Sequence, residues 1–244
     1  MSTIFEHFSA AVRAGQLVAM ATVVAGPDLG SKLLIHANGR LEGSTTDAEA
    51  DRAIQEKANA LINEQKSELV EIATPNAQRT IFIEVYTPPS KLIIIGAVHA
   101  AISLVTFANT LGFETYVIDA RSGFATQDRF PHVQHLIVEW PEDALAKIHF
   151  DESTYFLTLT HDDKFDTPAL AYALKQPARY IGALGSKKTH AKRVEQLKEM
   201  GCSDEEIARI HAPIGLYLGG KRPEEIAVSI IAEIVAVKNG VEAK

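Results

Sequence analysis

The 244-residue chain carries 24 Lys and Arg against 31 Asp and Glu, a formal net charge of -7, with 46% hydrophobic and 23% charged residues. That composition excludes a disordered chain, and the acidic balance argues against nucleic acid as the main partner, because a phosphate-binding surface shows as a basic excess. A single cysteine, Cys202, excludes an intramolecular disulfide framework and a cysteine-based zinc site within one chain, so no metal site is expected and a reducing, cytoplasmic setting is.

The start of the chain, Met1 to Phe8, carries Glu6 and His7 and lacks the basic-then-apolar order of a signal peptide. Leu17 to Val24 and Lys32 to His36 then read as short strands, with Asn38-Gly39 as a hairpin turn. Thr46 to Leu69 reads as a helix with Thr46 or Asp47 as N-cap, because Ala50, Ala53, Ile54, Ala58, Leu61 and Ile62 recur at three- and four-residue steps. Arg79 to Tyr86 is a β segment, broken by Thr87-Pro88-Pro89-Ser90. The prolines place a boundary between a smaller α+β domain over 1–87 and a second domain over 88–244.

Beyond them, strand and helix alternate. Strands are expected at Lys91–Ile95, Glu114–Ile118, Leu136–Glu139, Thr154–Thr160 and Arg179–Ile181, and helices at Ala100–Leu111, Pro168–Lys175, Lys187–Met200, Asp204–Ile210 and Pro223–Lys238. Strands apolar on both faces, alternating with helices, require an α/β fold with a parallel sheet covered on both sides. The apolar run Leu92–Ala97 is soon interrupted by His99, far short of the roughly 20 residues needed to span a bilayer, so a soluble, non-membrane protein is expected.

Three turns carry chemistry. Gly96-Ala97-Val98-His99-Ala100-Ala101 stands where a dinucleotide-binding fold puts Gly-x-Gly-x-x-Gly, but only the first glycine is present. Val98 puts a branched side chain where a pyrophosphate would rest, which counts against ordinary NAD(P) binding. Asp119 follows the next strand 23 positions after Gly96, near the spacing of a ribose-binding acid; it either serves that role or caps the turn with Arg121 and Ser122. His99 either faces a ligand or caps its helix. His161 and Asp162 end a strand where ligands bind in open parallel sheets, making His161 the leading acid-base candidate unless a loop carbonyl holds it. In Gly182-Ala183-Leu184-Gly185-Ser186-Lys187-Lys188, Ser186 is a helix N-cap and two lysines join amides that attract anions, so a small phosphorylated ligand suits the turn. Its glycine spacing is not that of a Walker loop.

In order, IIIGAVHAA, VIDARSGFATQDRFP, LTLTHDDKFDTPAL, YIGALGSKKTHAKR, IHAPIGL and RPEEIAVSIIAEI resemble the C-terminal Rossmann-type domain of the XdhC/CoxI family of xanthine dehydrogenase accessory factors, over roughly Pro88 to Val237. AMATVV, SKLLI and NGRLEGS resemble a shortened form of that family's N-terminal domain. The resemblance implies a Rossmann-like parallel sheet and an accessory protein that binds the molybdenum cofactor and delivers it to a molybdenum hydroxylase client. It also implies a homodimer, with cofactor-binding residues among Gly96, Ala97, His99, Asp119, Arg121, His161, Gly182, Gly185, Ser186 and Lys187. Two departures stand out. Gly43-Ser44-Thr45-Thr46-Asp47 replaces the family's glycine-rich stretch with its cysteine, so no thiol role carries over, and Val98 replaces a glycine of the family's Gly-Ala-Gly-His turn. The alternatives are an NAD(P)-dependent oxidoreductase using Asp119 and His161, and a scaffold paralogue that has lost its ligand.

Overall fold

A computed structural model of the chain describes residues 3–241. The chain divides into two compact units, Met1–Pro88 and Pro89–Lys244.

The first unit runs α1 (Ile4–Arg13), β1 (Val18–Ala25), β2 (Lys32–His36), β3 (Leu41–Glu42), α2 (Ala48–Glu64), β4 (Glu68–Ala73) and β5 (Gln78–Tyr86). Its strands form an antiparallel sheet in the order β3-β2-β1-β5-β4. Alternation along β1 sends Ala19, Ala21 and Val23 to a core shared with Ile54, Ala58, Leu61 and Ile62 of α2, and Val18 and Met20 to a smaller core under α1. Two features of this unit depart from the sequence reading. The chain opens on a helix, α1, started by a Thr3–Glu6 capping box that satisfies backbone donors at its first turn. Helix α2 ends at Glu64 instead of continuing to Leu69, because Gln65 takes a left-handed conformation (φ 53°) and Glu68–Ala73 pairs with β5. Its N-cap is Asp47, whose carboxylate accepts from the Glu49 and Ala50 amides.

The second unit runs β6 (Lys91–Ile95), α3 (His99–Thr110), β7 (Glu114–Ile118), β8 (His135–Ile137), α4 (Pro141–Leu145), β9 (Thr154–Thr158), α5 (Asp163–Leu174), β10 (Tyr180–Ala183), α6 (Lys187–Glu199), α7 (Asp204–Ile207), β11 (Ile210–His211) and α8 (Pro223–Lys238). Its sheet is parallel throughout, in the order β11-β10-β9-β6-β7-β8. Numbered from β6, that is the doubly wound order 3-2-1-4-5-6, which reverses between β6 and β9. Leu92 and Ile94 point into the core under α3 and α8; Ile93 and Ile95 point into the core under α4, α5 and α6. Each such fully buried aliphatic side chain contributes about 1.5–3 kcal/mol of transfer free energy, so helices cover both faces as expected. Helix α5 starts at Asp163, five residues before the expected Pro168, because Asp162 caps it and accepts from the Lys164 amide; Pro168 lies inside the helix. Helix α7 stops at Ile207, and Ile210–His211 adds an edge strand to β10. No helix among the described residues is long and apolar enough to cross a membrane.

Candidate functional site

Strand register aligns three turns along one rim of the second sheet. Ile95 pairs with Thr158, which pairs with Ala183. The segments that follow, at Gly96, Thr160–Asp162 and Leu184–Lys187, therefore lie side by side at the carboxyl ends of neighbouring strands, where open α/β sheets bind ligands. Asp119 follows β7 on the other flank of β6.

The turn after β6 is closed by its own chain. Gly96 has φ 109°, and a Cβ there would meet Thr160 Cγ2 at 2.7 Å, so only glycine fits. The Asp119 carboxylate, 1% exposed, accepts from the Ala97 amide at 2.9 Å and from the Arg121 amide, Nε and guanidinium at 3.0, 2.9 and 2.7 Å. Burial works to raise its pKa, and the bonds from Arg121 and Ala97 outweigh that and hold it below the usual carboxylate range. The N-cap of α3 is Val98, with no side-chain cap; His99 is the helix's first residue and is exposed.

At the end of β9, His161 is exposed and sits in the left-handed region at φ 60°, which a non-glycine residue adopts only where its surroundings hold it there. Its neighbour Asp162 is tied into helix capping, its amide donating to Thr160 Oγ1 at 3.0 Å. Behind them lies a charged pair that the sequence pattern does not single out. Asp166 and Arg193, 0% and 1% exposed at the side chain, approach to 3.6 Å. Asp166 accepts from Thr160 Oγ1 at 2.7 Å, and the Arg193 guanidinium donates to the Leu184 carbonyl at 3.2 Å. Burial pushes the Asp166 carboxyl up despite Thr160 and Arg193. Thr158 Oγ1, Asp166 Oδ2, His190 Nδ1 and Arg193 Nε and Nη1 have no hydrogen-bond partner among the described residues.

The turn after β10 faces outward. Gly182 is packed against Ile214, and Gly185 (φ 146°) leads to Ser186, whose hydroxyl accepts from the Thr189 amide at 3.1 Å and caps α6. Lys187 is exposed, without an ion pair among the described residues, and lines a cleft of about 560 Å³ together with Leu184, Ile214 and the loop that leads into α8. Of the expected binding residues only Lys187 lines that cleft; Gly96, Asp119 and His161 lie elsewhere on the rim. The loop is held by Glu233, 7% exposed, which accepts from Tyr180 Oη, from His211 Nδ1 at 3.1 Å and from the Gly215 amide at 2.7 Å. Burial would raise the Glu233 pKa, but these bonds hold it below its ordinary value.

Comparison with known proteins places this architecture. The family model described as XdhC Rossmann domain matches residues 92–234, and the model described as XdhC and CoxI family matches residues 11–73. Escherichia coli YqeB is 29% identical over 225 residues, 87% of this chain and 41% of that protein. A Bacillus subtilis protein named as a probable xanthine dehydrogenase subunit is 32% identical over 161 residues (66% and 47%), and the Escherichia coli molybdenum cofactor insertion chaperone PaoD is 29% identical over 153 residues (63% and 42%). The chain thus spans less than half the length of each of these relatives. The crystal structure of a Bacillus halodurans protein described as a xanthine dehydrogenase shares the fold, with a TM-score of 0.57 at 21% identity over 99% of this chain and 97% of that one. With a family model covering most of the second unit and another covering most of the first, the chain belongs to the XdhC and CoxI family.

Proposed function

We propose that this chain is a maturation factor for a molybdenum hydroxylase of the xanthine dehydrogenase type, binding the phosphorylated pterin molybdenum cofactor and delivering it to that client without turnover of its own. The relatives named as a dehydrogenase subunit and as a cofactor insertion chaperone support this reading. The observation that carries it is the turn after β10: a Ser186-capped helix start and an exposed Lys187, without an ion pair among the described residues, beside a cleft of about 560 Å³. Amides at a helix N-terminus together with a free ammonium group suit a phosphate, and the volume suits a small ligand. Lys187 and the helix start at Gly185 and Ser186 would hold the phosphate, with Gly182 packed beneath that turn. Gly96, Ala97, His99, Asp119, Arg121 and His161 would shape the rest of the rim, with His161 and Asp162 the groups available to move a proton. The cofactor supplies molybdenum redox chemistry once it is in the client. On this reading residues 1–87 and 88–244 are the family's two domains, and the chain works as a homodimer.

A nicotinamide dinucleotide also suits the strand order, but Val98 occupies the second glycine position and the Asp119 carboxylate is taken by Ala97 and Arg121. Anaerobic titration with molybdenum cofactor should show saturable binding, weakened about tenfold in Lys187→Ala if one charge-assisted contact worth about 1.4 kcal/mol is lost. Absence of binding, or binding blind to that substitution, removes the proposal.

A further inference from the structure

The loop from Gly215 to Lys221 has an unusual build. At its start the Gly215 amide donates to Glu233 and the Leu216 amide to the Ser229 carbonyl; at its end the Lys221 and Arg222 amides both donate to Glu225 Oε2 at 3.0 Å. Between these anchors Tyr217, Leu218, Gly219 and Gly220 make no hydrogen bond among the described residues. Gly215 (φ 89°) and Gly219 (φ 75°) bracket Tyr217, which is 97% exposed and whose ring and hydroxyl have no partner among those residues. Open space lies around this stretch: it lines both the cleft that holds Lys187 and a further hollow of about 530 Å³.

A tyrosine left wholly in water carries an apolar ring that gains by stacking. The cleft it lines is walled by Leu184, Ile214, Leu216 and Ile226, with Lys187 and Lys221 as its two ammonium groups. Neither lysine has an ion-pair partner among the described residues, while the Glu225 carboxylate in the same lining is engaged by backbone amides. Apolar walls, an unsupported aromatic ring and two ammonium groups against the single Glu225 carboxylate together describe a receptor for a flat ring that bears a negative charge.

We propose that residues 216–221 form a strap over a planar heteroaromatic anion seated in this cleft, with Tyr217 stacking on its ring and Lys221 joining Lys187 at its anionic group. Its identification with the molybdenum cofactor's pterin rests on the proposed function; the assignment of Tyr217 and Lys221 is additional to it.

The test uses the full chain and three probes: molybdenum cofactor extracted from a molybdenum hydroxylase, GMP as a planar anion, and inorganic phosphate as an anion without a ring. In Tyr217→Trp, the new indole emission should change saturably with cofactor and, more weakly, with GMP, and stay constant with phosphate. Lys221→Glu should weaken cofactor binding about tenfold or more, and Tyr217→Ala about tenfold, from the loss of one ring stack. Lys147→Gln, at an exposed lysine outside the cleft, should bind as the unaltered chain does, and circular dichroism melts establish that each variant is folded. If the unaltered chain binds cofactor while Tyr217→Ala and Lys221→Glu bind it equally well, the strap is overturned and the maturation role stands; that is also the result expected of a loop that docks on a partner protein. If phosphate alone shifts the indole emission as far as cofactor does, the ring-stacking role is overturned. If no probe binds the unaltered chain, strap and maturation role fall together.

Discussion

The exits of β6 and β10 both carry a buried Gly-Ala step, just past the strand at Gly96-Ala97 and within its last two residues at Gly182-Ala183, and they end in opposite electrostatic states. At Gly96-Ala97 the chain supplies its own anion: the Asp119 carboxylate takes the Ala97 amide, and Thr160 fills the space a side chain would need. At Gly182-Ala183 no carboxylate among the described residues folds back. A serine hydroxyl caps the helix, and Lys187 carries its charge to the edge of a cleft. The rim is thus closed internally at the first turn, where Gly96 is left-handed, and presented outward at the second, where Gly182 is still strand.

Gly96→Ala attacks the closed turn and should have the largest effect. A left-handed backbone and a contact at 2.7 Å must both be relieved, so a loss of about 2–4 kcal/mol is expected from urea denaturation. An unchanged midpoint would show that Thr160 yields readily and that the first turn is as open as the second.

Next is Glu233→Gln, which loosens the support behind the outward turn and should cost about 1–3 kcal/mol through imperfectly paired Tyr180 and His211. It also carries a pH signature. Glu233 is held below the usual 4.5 of a glutamate in the folded chain, so its stabilisation is complete above that unfolded-state value. It is lost as pH falls toward the lower folded one. Denaturation midpoints followed down the acid range should fall less steeply in Glu233→Gln; parallel curves would show that Glu233 titrates alike in both states. The smallest effect is expected of Ser186→Ala, about 1 kcal/mol for a lost N-cap, read as a lowered melting temperature.

The architecture is legible in the sequence wherever pattern and packing agree: Leu92 to Ile95 suits only a doubly buried strand, and Ser186 suits a helix start. Legibility fails where a boundary depends on a conformation that residue type does not announce. Gln65 ends α2 in a left-handed turn with no glycine or proline to mark it, and the charged alternation Glu68-Leu69-Val70-Glu71 blends with the helix before it. Pro168 reads as a helix start because proline favours the first turn, whereas Asp162 has already capped α5. The rim residues are found by their place after strands. Asp166 and Arg193 escape notice because each is one charged residue among several in its own helix, and their pairing spans two helices. The strap does leave a signal, in that Gly215-Leu216-Tyr217-Leu218-Gly219-Gly220 sets bulky apolar residues among glycines, where no core could claim them.

The Asp166–Arg193 pair links the two contrasted turns. From Gly96, pressed on Thr160, the connection runs through the Thr160 hydroxyl to Asp166, across to Arg193, and on to the Leu184 carbonyl just before Gly185. Mechanically this is a crossbar bolted beneath the rim, joining two helices and two loops. The two turns thus share one buried support, Thr160 standing under the first and the Leu184 carbonyl under the second, with a single ion pair between them.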